Sequence, residues 1–394
     1  MTLLARLTIL TLALTALLGA QTEASSPLSH IWTSTFPSST EGMPVIRSLY
    51  RYGNTIGVLG VLDTQVVGNY AGNASSPTPT WTLKTPPFPT VLAGGDNSVG
   101  YVFTNGTSCS LSEFNLPGSS DPTWTYACPD RTEGAAGLSG NGEVALLVTT
   151  AFDGAMRAAV FSPNSNGVPS VNVSLDHAKL PSVVPELISF QASGPNMFLA
   201  GADHYAIVSS FTGAVRRHGS PNGDQIVGVC NAGEYIITNG ASVSVLLWAD
   251  KKYSTVLSLP RNSMPVLSSD CSTLATYVPY GDKGSVLDIY SLGGATSTHL
   301  VASVTLPSGN IMDPPVISPS AAAIACATDN TLNVIQAPFS SSSSAISYPV
   351  PNIDGRRVSA FEPPSPNGIA AYIFASGYSF SSSAYQISYF HLES

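Results

Sequence analysis

The sequence predicts an all-β fold: a closed ring of eight four-stranded antiparallel blades, an eight-bladed β-propeller, with seven blades as the alternative count. Three observations predict it. A short phrase recurs about every 45 residues, the period of a four-stranded blade. Apolar runs are short and rich in Val, Ile, Tyr and Ala, and Gly or Pro breaks nearly every window long enough for a helix. The two ends of the chain each hold part of one repeat, and the parts are complementary.

At the N-terminus Arg6 supplies a positive flank, and residues 7–18 (LTILTLALTALL) form an apolar run with small residues after it. The run is shorter than the ~20 residues a membrane span needs. A cleaved signal peptide over 1–24 is expected, cut after Ala20 or Ala24, leaving one propeller domain over 25–394 that is secreted or lies in the lumen of the secretory pathway. No membrane span is expected after cleavage. Sequons at Asn73, Asn105 and Asn172 point along the same route as N-glycosylation sites. Charged residues make up 10 % of the chain, against about 25 % in ordinary globular proteins. The net charge is −9, or −10 once Arg6 is removed (24 acids against 14 bases). That balance disfavours nucleic acid or an anionic membrane as partner.

The recurring phrase reads Trp32-Thr33-Ser34-Thr35-Phe36-Pro37, then Trp81-Thr82-Leu83-Lys84-Thr85-Pro86, then Trp124-Thr125-Tyr126-Ala127-Cys128-Pro129. Copies without Trp end at Pro260, Pro307 and Pro351, and looser ones precede Pro181 and Pro221. Between them lie nearly continuous apolar stretches at 56–62, 99–103, 144–148, 197–200, 235–237, 274–278, 322–327 and 369–375. Continuous apolarity means burial on both faces, the environment of a blade's second strand. Third strands follow at 157–161, 242–247, 286–290, 331–335 and 385–391, several alternating as expected nearer the rim. The turn between second and third strands carries Asp63, Asn105, Asp153, Asp203, Asn239, Asp282 or Asp329, and Ser376-Gly377 in the eighth unit. The last unit lacks a fourth strand, and the strand at 31–36 has no unit before it. Pairing them closes the ring and removes an open edge. The Trp residues of the phrase are read as packing between blades.

Repeat length, strand order and Ser-x-x-Gly turns such as Ser139-Gly140-Asn141-Gly142 resemble the WD40-like and quinoprotein-like propellers. The resemblance is architectural and covers residues 31–394. The Gly-His and Trp-Asp dipeptides of WD40 repeats are absent, as are the Asp box of neuraminidases and the vicinal Cys pair of many quinoprotein alcohol dehydrogenases. Partner and activity therefore do not carry over.

Cys109 and Cys128 fall on hairpin neighbours, so a disulfide is expected between them. Cys230, Cys271 and Cys326 are placed on inner strands as buried free thiols, with a 230–271 pair as the alternative. Asp63, Asp153, Asp203, Asp282 and Asp329 share one face and would form a carboxylate rim attractive to a cation or basic partner. Turn chemistry explains them more simply. The six histidines fit no metal or protease motif, and the basic pairs Arg216-Arg217, Lys251-Lys252 and Arg356-Arg357 read as solvated edges. Ser340 to Ser344 reads as a flexible loop. No catalytic, cofactor-binding or metal-binding residue is singled out, and no cofactor is expected. The leading expectation is a secreted, glycosylated, non-enzymatic scaffold that binds a protein or glycan at the cell surface or in extracellular matrix. A secreted hydrolase or cofactor-dependent oxidoreductase with its site in the central channel is one alternative, and a self-assembling structural subunit another.

Overall fold

The computed structural model describes residues 28–392 except 38–44, 53–54, 64, 72–77, 88, 94–98, 106–108, 129–131, 140–141, 151–155, 176–186, 191–195, 201–203, 222–223, 232, 279–285, 295–296, 307–313, 319–320, 329–330, 350–353, 362–370 and 380–383. Among the described residues, 32 strands form eight four-stranded antiparallel sheets.

The chain enters on β1 (Leu28–Pro37) and moves at once to the first blade, β2 (Val45–Tyr52), β3 (Thr55–Asp63), β4 (Val66–Ala71) and β5 (Trp81–Lys84). The second blade is β6 (Thr90–Ala93), β7 (Val99–Thr104), β8 (Ser110–Asn115) and β9 (Trp124–Ala127). The third is β10 (Thr132–Leu138), β11 (Val144–Thr150), β12 (Met156–Phe161) and β13 (Val171–Leu175). The weakly marked stretch that follows forms two separate sheets. One is β14 (Leu187–Phe190), β15 (Asn196–Ala200), β16 (Tyr205–Ser209) and β17 (Val215–Gly219). The other is β18 (Gln225–Cys230), β19 (Tyr235–Asn239), β20 (Val243–Ala249) and β21 (Lys252–Leu259). The sixth blade is β22 (Met264–Leu267), β23 (Thr273–Tyr277), β24 (Val286–Ser291) and β25 (His299–Thr305). The seventh is β26 (Val316–Ile317), β27 (Ala323–Thr328), β28 (Thr331–Gln336) and β29 (Ile346–Pro349). The eighth has β30 (Asp354–Phe361), β31 (Ala371–Ser379) and β32 (Ala384–Leu392), and its outer strand is β1.

That last pairing runs from Leu28 opposite Leu392 to Pro37 opposite Ala384. The Thr33 and Ser388 hydroxyls add a hydrogen bond of 2.8 Å across it. The first strands of successive blades touch in order, and β30 returns to β2, so the ring is closed. Sheet order and closure are those of a β-propeller, as the resemblance implied.

Burial follows strand position. The second strands β7 and β27 are buried at every residue, because a neighbouring blade covers each face. The outer strands β5 and β17 alternate cleanly between half-buried and exposed. The third strands are more covered than expected. β8 and β24 partly alternate, but β16 is buried throughout. The core lies in the seams. Phe103, Leu111 and Trp124 of the second blade pack with Leu146 and Phe161 of the third, and Ile289 and Val304 of the sixth pack with Ile324 and Ile335 of the seventh.

The Ser-x-x-Gly turn joins first and second strands repeatedly. The amides of Gly142, Cys271 and Ala321 donate to the carbonyls of Ser139, Ser268 and Ser318 at 3.1, 3.1 and 2.8 Å. Each serine hydroxyl accepts from an amide further on, of Glu143, Thr273 or Ala323. The fourth turn residue has positive φ, and Cys271 (φ 61°) and Ala321 (φ 54°) take the place of glycine there.

Two expectations are corrected. Cys230 and Cys271 form a disulfide, leaving Cys326 as the free buried thiol among the described cysteines. Cys271 lies in a turn and not on an inner strand, and the left-handed backbone there aims it at the end of β18 in the preceding blade. Ser376-Gly377 is not a turn. Both residues pair within the β31–β32 ladder, which runs on to Ser379 to match the ten-residue β1. The serine run at 340–344 lies outside any strand, in the loop between β28 and β29, and turns with the Ser343 amide on the Ser340 carbonyl at 2.9 Å and the Ser340 amide on the Ser343 hydroxyl at 2.8 Å.

Candidate functional site

Antiparallel order puts the turns joining second and third strands on one face of the ring. The turns joining first to second and third to fourth lie on the other. Of the expected carboxylate rim, Asp153, Asp203, Asp282 and Asp329 lie outside the described residues, and Asp63 is described only as the end of β3. The sequon residue Asn73 also lies outside them. Asn105 is half-buried just after β7, and Asn172 is exposed on the edge strand β13. Cys109 and Cys128 are joined, bridging the start of β8 to the end of β9. Among the described residues, no three His, Cys, Asp or Glu side chains converge as a metal site.

The outer strands make a repeated contact that leads to the site. Trp81 on β5 stacks on Phe114 of the next blade, with centroids 5.9 Å apart, and its indole N–H donates to the Pro117 carbonyl at 2.9 Å. Trp124 on β9 stacks on Phe161 of the third blade at 5.2 Å. Tyr348 on β29 meets Phe390 of the eighth edge-on at 5.0 Å. These contacts bear out Trp81 and Trp124 as packing between blades. The side chain of Trp32 lies outside what is described.

Between the fourth and fifth blades the partners exchange chemistry. The outer-strand residue is Arg217, and its guanidinium carbon sits 3.5 Å from the ring centroid of Trp248 on the third strand β20. Tyr253 and Tyr205 complete the surround at 5.5 and 5.7 Å. Arg217 is therefore no solvated edge residue, although its neighbour Arg216 is exposed. A flat, weakly hydrated cation stacks well on an indole face, and lysine would not substitute for it.

The residues around this stack are closely packed. Phe198 stacks on Tyr205 at 5.5 Å and 9°. The Tyr253 hydroxyl donates to the Gly233 carbonyl at 2.7 Å. Gly233 turns the chain at φ 90°, and a Cβ there would meet the Phe198 ring at 2.5 Å. Arg217 itself is poorly served. Nη2 reaches the Gly233 carbonyl and the Tyr253 hydroxyl only at 3.5 Å each, and Nε is buried with no hydrogen-bond partner among the described residues. Burial pulls this guanidinium below its ordinary value, opposed by the Tyr253 and Tyr205 phenols.

Arg216 and Arg217 open on a groove of about 360 Å³ at the seam. Asn196 and Ile207 line its fourth-blade side. Asn231, Gly233, Glu234 and Trp248 line the fifth-blade side. The Asn231 amide donates to the Glu234 carboxylate at 2.7 Å. The groove lies on the face of the first–second and third–fourth turns, opposite the expected Asp rim. Sequence reasoning passed over it because its residues come from four strands and one turn of two blades. The available signal was a paired arginine in a charge-poor chain and a fourth Trp outside the repeated phrase.

No family model and no curated protein matches the chain. Among solved structures, BamB from Moraxella catarrhalis is similar at 11 % identity and a TM-score of 0.49, over 92 % of this chain and 97 % of that one. The Cps50 (Swd1) β-propeller domain from Myceliophteria thermophila is similar at 10 % identity and 0.48, over 92 % and 99 %. A functionally unknown protein from Desulfotomaculum acetoxidans is similar at 10 % identity and 0.47, over 73 % and 94 %. These likenesses assign neither an activity nor a partner.

Proposed function

We propose that the chain is a secreted, glycosylated, non-enzymatic propeller that binds a protein or carbohydrate partner at the cell surface or in extracellular matrix. The observation that carries the reading is the groove between the fourth and fifth blades. It is a recognition surface of cation, amide and apolar groups held on strands of a closed ring. A leader over 1–24, cut after Ala20 or Ala24, would deliver the chain to the oxidising route in which two disulfides persist. Exposure of Asn172 on an edge strand, whose pairing a glycan would block, supports glycosylation there.

The test is expression of the full chain in a secretory host. The expected product is in the medium, begins at residue 21 or 25, loses mass on enzymatic deglycosylation, and captures a partner on glycan or protein arrays. Retention inside the cell, or blank arrays together with turnover of a small substrate, overturns the reading.

A further inference from the structure

We propose that the groove at the fourth–fifth seam binds the carboxylate-bearing sugar of an acidic glycan, with Arg216 and Arg217 as the anion fork and the Asn196 and Asn231 amides reading hydroxyls. This rests on the scaffold reading and specifies its partner.

The donors are in place before any ligand arrives. Arg217 is fixed by its stack on Trp248, so little side-chain entropy remains to be lost on binding. Its described hydrogen bonds are two 3.5 Å contacts, both from Nη2, and neither is to a carboxylate. A guanidinium offers five donors in a planar fork that fits a carboxylate. Arg216 is exposed beside it on the same strand. The groove's volume of about 360 Å³ is at the small end of ligand sites and suits one sugar ring better than a length of peptide.

The side-chain amides favour a sugar, since asparagine donates and accepts at once, as hydroxyl recognition needs. Glu234 opposes the anion, and its hydrogen bond to Asn231 holds that charge at the groove. With a net charge of −9 over the chain, long-range attraction does not assist binding, so recognition rests on the local fork.

The test uses the full secreted protein against immobilised oligosaccharides ending in glucuronate or sialate, their carboxyl-reduced counterparts, and an acidic peptide. The acidic sugars are expected to bind, and carboxyl reduction to weaken binding by about tenfold or more. Arg216→Ala is expected to do the same without moving the melting temperature, and Glu234→Gln to tighten binding several-fold by removing the opposing charge. Equal binding of reduced and acidic sugars, or indifference to both substitutions, overturns the proposal and leaves a glycan-binding scaffold standing. Preference for the acidic peptide overturns it in favour of a protein partner. Blank results on all probes and on protein arrays overturn the scaffold reading with it.

Discussion

Glu113 shows how a single residue carries pH dependence in a charge-poor fold. It sits on β8, fully buried. It accepts from the Tyr101 hydroxyl at 3.1 Å and from the Asn164 amide at 3.3 Å, a phenol and a backbone group and not a cation. Burial pushes its carboxyl up, against the pull of those hydrogen bonds. Between the ordinary carboxylate range and the raised value the folded chain keeps a proton that the unfolded chain has released. Stability from this group is thus full below the ordinary range and is lost as pH rises through the raised value. Glu113→Gln should remove that loss. Denaturant titrations between about pH 4 and 8 are expected to show the variant gaining on wild type as pH rises. A difference constant across that range counts against the assignment. Gly233 is the other decisive residue. An alanine there needs φ near 90° and puts its methyl into Phe198, so Gly233→Ala should cost about 2–3 kcal/mol and lower the melting temperature with it.

At the scale of elements, adjacent blades are fastened by outer strands and turns. The Cys230–Cys271 bridge joins the end of the first strand of one blade to the first–second turn of the next, closing a 41-residue separation. Loop entropy puts its contribution at about 4 kcal/mol as an upper figure. The double variant Cys230→Ser/Cys271→Ser should therefore unfold at lower denaturant than wild type, by about 2–4 kcal/mol, and reductant should narrow the gap. An unchanged midpoint would show that the seam holds without the bridge. Strand positions were legible from apolar runs, because burial on both faces leaves a continuous signal in one dimension. The fourth strands were legible from the phrase ending in Pro. The Cys230–Cys271 pairing was legible only as the alternative to free thiols, since it depends on which turn residue adopts positive φ, and Cys271 stands where the motif has glycine. The groove was illegible for a related reason. Arg217 and Trp248 belong to different repeats, and the equivalent seams use aromatic pairs such as Trp124 with Phe161, so no local pattern marks the exchange.

At the scale of the whole molecule, closure depends on one strand from the far end of the chain. β1 supplies the outer strand of the eighth blade, with Leu28 opposite Leu392. Without it β32 would present a nine-residue unpaired edge. A chain lacking residues 25–37 should lose its single cooperative melt, whereas one lacking only 25–27, ahead of the strand, should melt as wild type does. The antiparallel register allows a stricter test that does not depend on a damaged protein. Because Leu28 faces Leu392, residues 28–37 can follow residue 394 through an Asn-Gly turn, and the new N-terminus then begins at residue 45. Each blade of that permutant is contiguous in sequence. If β1 acts only by pairing with β32, connectivity is immaterial, and the permutant should match the intact chain in melting temperature and in seam-dependent binding. If the permutant melts like the 25–37 deletion, the N-terminal strand is doing something other than completing the eighth blade, and the closure described for the ring is wrong.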